Sequence, residues 1–134
     1  MAGVVLGEPM ISQASDTSKP ELTIKQVMND IITPATAIIW GASELKTDAE
    51  WLEVESAALS VIKAGNLMTR GGAGEDENDM AREADWQTYN DQMITAAKKV
   101  IVAVESKDEE ALFNVGNNDL YPPCEACHQT YQKR

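Results

Sequence analysis

Residues 47–72 read Thr47-Asp-Ala-Glu-Trp-Leu-Glu-Val-Glu-Ser-Ala-Ala-Leu-Ser-Val-Ile-Lys-Ala-Gly-Asn-Leu-Met-Thr-Arg-Gly-Gly72. Thr47 with Glu50 three positions on is the spacing of a capping box, which satisfies two orphan donors at a helix start. Trp51, Val54, Ala58, Val61, Gly65 and Met68 then follow at alternating steps of three and four. That period gives one apolar seam along a helix. Arg70 suits the negative end of the helix dipole, and the Gly71-Gly72-Ala73-Gly74 run can adopt a left-handed cap.

The same pattern recurs on both sides. Upstream, Ser18-Lys19-Pro20-Glu21 signals a helix start, because proline is tolerated in a first turn. Ile24, Met28, Ile31, Ala35 and Ile38 continue as a stripe, Pro34 bends the helix without ending it, and Gly41 offers a stop. Downstream, Asn78 or Asp79 can cap a third helix carrying Trp86, Tyr89, Met93, Ala96, Val100 and Ala103, which reaches about Glu105. A fourth segment starts near Asp108, runs through Leu112 and Val115, loosens at Gly116-Asn117-Asn118-Asp119 and resumes after Pro122-Pro123. No strand pattern and no repeat is apparent. Long helices with short connections predict an all-α, antiparallel up-down-up-down four-helix bundle.

The chain has 134 residues, which suits one domain. Residues 1–18, rich in Gly, Ser, Asp and Thr, read as a flexible leader, and 19–134 as the single folded domain. With 22 acidic and 11 basic residues the formal charge is −11. Such a surface disfavours nucleic acid and anionic membrane and steers toward a basic partner, although solubility alone also accounts for it. No run approaches the ~20 apolar residues of a membrane span. The start of the chain, with only Val4-Val5-Leu6 as an apolar run and no basic region before it, lacks a signal peptide.

Near the C-terminus stands Cys124-Glu125-Ala126-Cys127-His128. Cys-X-X-Cys-His reads as covalent c-type haem attachment: two thiols for the haem vinyl groups and an adjacent imidazole for the iron. These are the only two cysteines and the only histidine in the chain. Two other readings compete. A redox dithiol belongs at a helix N-terminus in a fold of alternating strands and helices. Structural zinc wants four ligands, and here carboxylates would have to complete the set. A haem between facing helices would also fill an interior that has only one Phe to occupy it.

A haem motif at the end of four helices resembles the class II c-type cytochromes, the cytochrome c′ group and its low-spin relatives. The specific matches are Cys124-X-X-Cys127-His128-X-X-Tyr131 and the first helix. The resemblance implies thioether bonds at Cys124 and Cys127, proximal ligation by His128, packing of Tyr131 beside the haem, and a distal position falling on Met28. Low-spin relatives carry a ligating methionine there, whereas in cytochrome c′ iron is five-coordinate. Two departures weaken a transfer of gas chemistry: Gln132 replaces the basic residue that commonly follows the tyrosine, and Asp119 to Pro123 interrupts the last helix.

The expected function is therefore that of a monohaem, non-enzymatic electron carrier holding one covalent haem c, with His128 and Met28 as axial ligands. Met/His ligation raises the potential and closes the iron to outside ligands. The alternative is a five-coordinate protein that binds or senses NO or CO. Met28 on a core stripe is equally what packing alone would produce. Met68 and Met93 are alternative ligands, and Met10 and Met80 rank lower. Trp86 and Tyr89 can line the haem edge, with the Trp86 indole donating to a propionate. Trp40 and Trp51 are expected to staple the first interhelical loop, and Lys98 and Lys99 to form a solvated face. The resemblance further implies a periplasmic or otherwise exported protein, a redox protein partner, and pairing of two copies.

Overall fold

The computed structural model describes residues 20–132, and every regular element among them is helical. Helix α1 spans 24–41, α2 Asp48–Met68, the short α3 Glu77–Met80, α4 Ala84–Glu105, and α5 109–132. The proposed leader and the cap at Ser18 lie outside the described residues. Among those described, α1 is capped instead by Thr23, whose hydroxyl accepts from the Gln26 amide while the Gln26 side chain accepts from the Thr23 amide.

Helix α2 follows the expected pattern at both ends. Thr47 and Glu50 form the reciprocal box, and Trp51, Val54, Ala58, Val61, Gly65 and Met68 are all buried. Gly71 takes the left-handed conformation at φ +88° and donates its amide to the Met68 carbonyl at 2.9 Å. Helix α4 packs most extensively on α2, and both helices bury small side chains: Ala57 and Ala64 on α2, Ala96, Ala97 and Ala103 on α4. A Cβ on Gly65 would collide with the Ile94 side chain.

Three expectations are corrected. The long helix after the glycine run does not start at Asn78 or Asp79; those residues form part of α3, and α4 starts at Ala84. Local acidic caps were too weak a guide, because Glu77 is committed elsewhere, accepting from the Ile24 amide at 3.0 Å and the Gly74 amide at 2.9 Å. The region 116–119 does not loosen. It is a π-helical turn, Gly116–Leu120, through which α5 continues into Pro122 and Pro123. Finally, the buried line of α1 is Val27, Ile32, Ala35, Thr36 and Ile39, whereas Ile24, Met28, Ile31 and Ile38 are only partly buried.

This last shift has a local cause. Met28–Ile32 is also a π turn, with the Thr33 amide bonded to the Met28 carbonyl five residues back. A wide turn carries one residue more than an α turn, so the apolar register slips by one. Of the three π turns among the described residues, this one and Gly116–Leu120 stand two residues ahead of a proline, Pro34 and Pro122, while the third, His128–Gln132, has none after it. A proline inside an α-helix offers no donor and its ring crowds the carbonyl four residues back. Opening the turn relieves that crowding while the helix goes on.

Helix α1 packs on α2, α2 on α4, and α4 on α5. Trp40 joins α1 to α5: its indole N–H donates to the Gly116 carbonyl at 2.9 Å, and its ring meets Tyr121 edge to face. Trp40 therefore ties the first and last helices together and does not staple the first loop; Trp51 is simply buried in α2. Lys98 and Lys99 are both exposed, as expected, and Lys99 also pairs with Asp119 at 3.1 Å, linking α4 to α5.

Candidate haem site

Helix α5 presents Cys124, Cys127 and His128 at spacings of three and four residues, which puts all three on one helical face. Both thiols are free. That face lines a cavity of about 740 Å³, within the size range of sites that bury a cofactor. The cavity is a cleft between α1 and α5. Its floor is buried and largely apolar, made by Ile32, Met68, Trp86, Met93 and Tyr131. Its rims are exposed: Lys25, Asn29 and Thr33 on α1, His128 and Gln132 on α5.

Every candidate ligand among the described residues borders this one cavity. Met28 comes from α1, Met68 from α2, Met93 from α4, and Cys124, Cys127 and His128 from α5. Met80 does so too, from α3, so its low rank on sequence grounds came from helix position and ignored where the glycine loop carries it. Met10 lies outside the described residues. Four thioethers, two thiols and one imidazole form a soft, iron-compatible donor set.

Trp86 and Tyr89 both line the cavity, as expected. The expected role of the Trp86 indole does not hold: its N–H is spent on the Met68 carbonyl at 2.9 Å in a buried hydrogen bond. It is thus already paired and not free for a propionate. The Trp86 ring meets Tyr131 edge to face, with centroids 5.1 Å apart, a favoured aromatic geometry. Tyr131 donates its hydroxyl to Glu83 at 2.9 Å. Burial, reinforced by the Glu83 carboxylate, pushes that phenol up to about 12.

Sequence reasoning passed over several other lining groups. Asn90 is buried on the cavity wall and donates to the Gly65 carbonyl at 2.9 Å. Thr36, also buried there, donates to the Ile32 carbonyl at 2.8 Å. Asn90 lies four residues after Trp86 and three before Met93, so a polar residue on a core line was the available signal. Lys25 and Glu77 are the charged groups on the cavity wall.

The two competing chemistries find less support. Burial pushes the Cys124 thiol up to about 11 and raises that of Cys127 as well. A redox dithiol instead needs lowered thiols at a helix N-terminus, and this pair lies well inside α5. Among the described residues, no group of three or more His, Cys, Asp or Glu side chains is arranged to hold a metal ion, which leaves a four-ligand zinc site without its ligands. A covalently held haem fits: two thiols for attachment, an adjacent imidazole, and a cleft with an apolar floor. No helix among the described residues is long and apolar enough to cross a membrane. Comparison with protein-family models, with curated proteins and with solved structures finds no match to this chain.

Proposed function

We propose that this chain is a monohaem c-type cytochrome of the class II kind that carries single electrons and is not an enzyme. Its four long helices form an antiparallel up-down-up-down bundle. The connections 42–47 and 106–108 are short, and such links join antiparallel neighbours. Cys124 and Cys127 would hold one haem c through thioether bonds, and His128 and Met28, which line the same cavity, would bind its iron.

One observation carries the reading: an attachment motif on α5 and a methionine on α1, nearly a hundred residues apart in sequence, line the same cleft. When bound, haem supplies a one-electron ferric/ferrous couple, whose potential a thioether ligand raises. The protein's part is to hold both ligands ready and keep water from the floor of the site, where Ile32, Trp86, Met93 and Tyr131 are buried. Preorganised ligands mean little rearrangement between oxidation states. The protein works outside the cytoplasmic membrane, with a redox protein partner that its acidic surface draws by basic charge.

An absorption spectrum tests this directly. The protein matured with haem should show low-spin bands and the weak red band of sulfur on ferric iron, and Met28→Ala should convert it to high spin. High-spin bands with rapid carbon monoxide binding in the parent protein would overturn Met28 ligation in favour of the five-coordinate gas-binding alternative. Loss of all haem into acid acetone would end the cytochrome reading.

A further inference from the structure

The chain has three Trp, three Tyr and one Phe, and three of these rings stand in solvent where α1 meets α5. Trp40 is 42% exposed, Tyr121 48% and Phe113 68%. The Trp40 indole donates to the Gly116 carbonyl at 2.9 Å, and its ring meets Tyr121 edge to face with centroids 6.1 Å apart. Along α5, exposure repeats every four residues: Phe113, Asn117, Tyr121 and Glu125 are exposed, while Leu112, Gly116 and Leu120 are buried. In an uninterrupted α-helix a step of four drifts round the axis by about 40°. The π turn Gly116–Leu120 takes more residues per turn, which keeps Phe113 and Tyr121 on one side.

Three features make this patch a docking face. Covering it strands no polar group, because the Trp40 indole is bonded to Gly116 and the Tyr121 hydroxyl donates to Glu125 at 3.4 Å. Trp40 also lines the cleft shared by Cys124, Cys127 and His128, whereas the exposed Leu52, Leu59 and Val102 do not. Carboxylates flank the rings: Glu109 and Glu110 one turn before Phe113, and Glu125 one turn after Tyr121. Lys99, which reaches α5 from α4, is paired with Asp119. We propose that Trp40, Phe113 and Tyr121 dock the redox partner, a protein that presents an apolar centre within a ring of Lys or Arg. Aromatic rings supply the contact area of such interfaces, and the carboxylates steer the basic ring onto them. The same carboxylates, on a chain of charge −11, oppose a second copy or an anionic lipid surface. Three rings suit the small interface, under about 1,200 Å², of a transient electron-transfer encounter. The inference rests on the chain being an electron carrier: one electron passes between the irons of the two proteins, one oxidised as the other is reduced, and no bond or proton moves.

The test titrates the full chain, matured with covalent haem, calorimetrically against a lysine-rich class I cytochrome c. Both proteins are ferric, so binding is read without electron transfer. The parent protein should bind, and less tightly as salt rises. Phe113→Ala with Tyr121→Ala should weaken binding about tenfold or more and leave the absorption spectrum unchanged. If that pair fails to fold, Phe113→Ala alone serves, because its side chain is mostly solvated, and it should weaken binding severalfold. Leu59→Ala, at a leucine 53% exposed away from the cleft, should bind as the parent does. No binding by the parent, or undiminished binding by the Phe113 and Tyr121 variants, would overturn the proposal. So would a dimer in sedimentation, or binding to phosphatidylcholine vesicles, that these variants abolish, since the patch would then serve a second copy or a lipid surface. Loss of the haem into acid acetone would instead end the cytochrome reading, whatever the titration gives.

Discussion

Replacing Trp86 with Phe separates two roles for one indole. If the ring supports the fold through its bond to the Met68 carbonyl, the change costs stability and leaves the cofactor untouched. A typical net hydrogen bond contributes about 0.5–1.5 kcal/mol. The lower half of that range applies here, because the Met68 carbonyl keeps its second donor, the Gly71 amide. Trp86 is only 4% exposed, so losing the second ring opens a void. Full truncation of a core Trp costs about 3–5 kcal/mol, and Phe retains most of the ring system, so roughly 1–1.5 kcal/mol is charged to the void. The total is about 1.5–2.5 kcal/mol, equivalent to a fall in Tm of roughly 5–12 °C for a domain of this size. Urea and thermal unfolding of the haem-loaded protein measure it, with a redox titration alongside. A loss below about 0.5 kcal/mol, the range of a neutral surface change, together with a shifted potential would show that the indole serves the cofactor.

Leu120 is fully buried at the end of the second π turn, so Leu120→Ala should cost about 2–5 kcal/mol in urea unfolding. Glu77→Ala removes the acceptor of the Ile24 and Gly74 amides; it should destabilise by about 1–2 kcal/mol, with faster hydrogen exchange at Ile24. Tyr131 carries a folded-state pKa of about 12, raised from 10. Its neutral form is therefore favoured in the native protein, and this contribution is complete below pH 10 and lost as pH rises toward 12. Tyr131→Phe should flatten that alkaline decline in unfolding free energy, and an unchanged slope would contradict the buried phenol.

The apolar period was a sound guide wherever the helix is regular. Trp51 through Met68 are buried as spaced, and so are Trp86, Met93, Ala96, Val100 and Ala103, whereas Tyr89 of the same expected stripe is only partly buried and Asn90 beside it is buried. It misled on α1, because two-residue-ahead relief of Pro34 is not a periodic signal: Val27 took the core place expected of Met28. The start of α4 was misplaced for a related reason, since Glu77 answers to donors on α1 and its own loop, which lie far apart in sequence. Trp40 and Lys99 likewise found partners on α5, beyond the reach of any local pattern.

By itself the sequence determined that the chain is helical, where α2 begins and ends, and that a Cys-X-X-Cys-His run sits in the last helix. These are local matters of period, capping and the spacing of two thiols and an imidazole. Only the tertiary structure decided that Met28, Met68, Met80 and Met93 border the same cleft as Cys124, Cys127 and His128. It also decided that the Trp86 indole is already spent on the Met68 carbonyl. Both depend on which helix packs against which, and the packing of distant segments leaves no mark in the local order of residues.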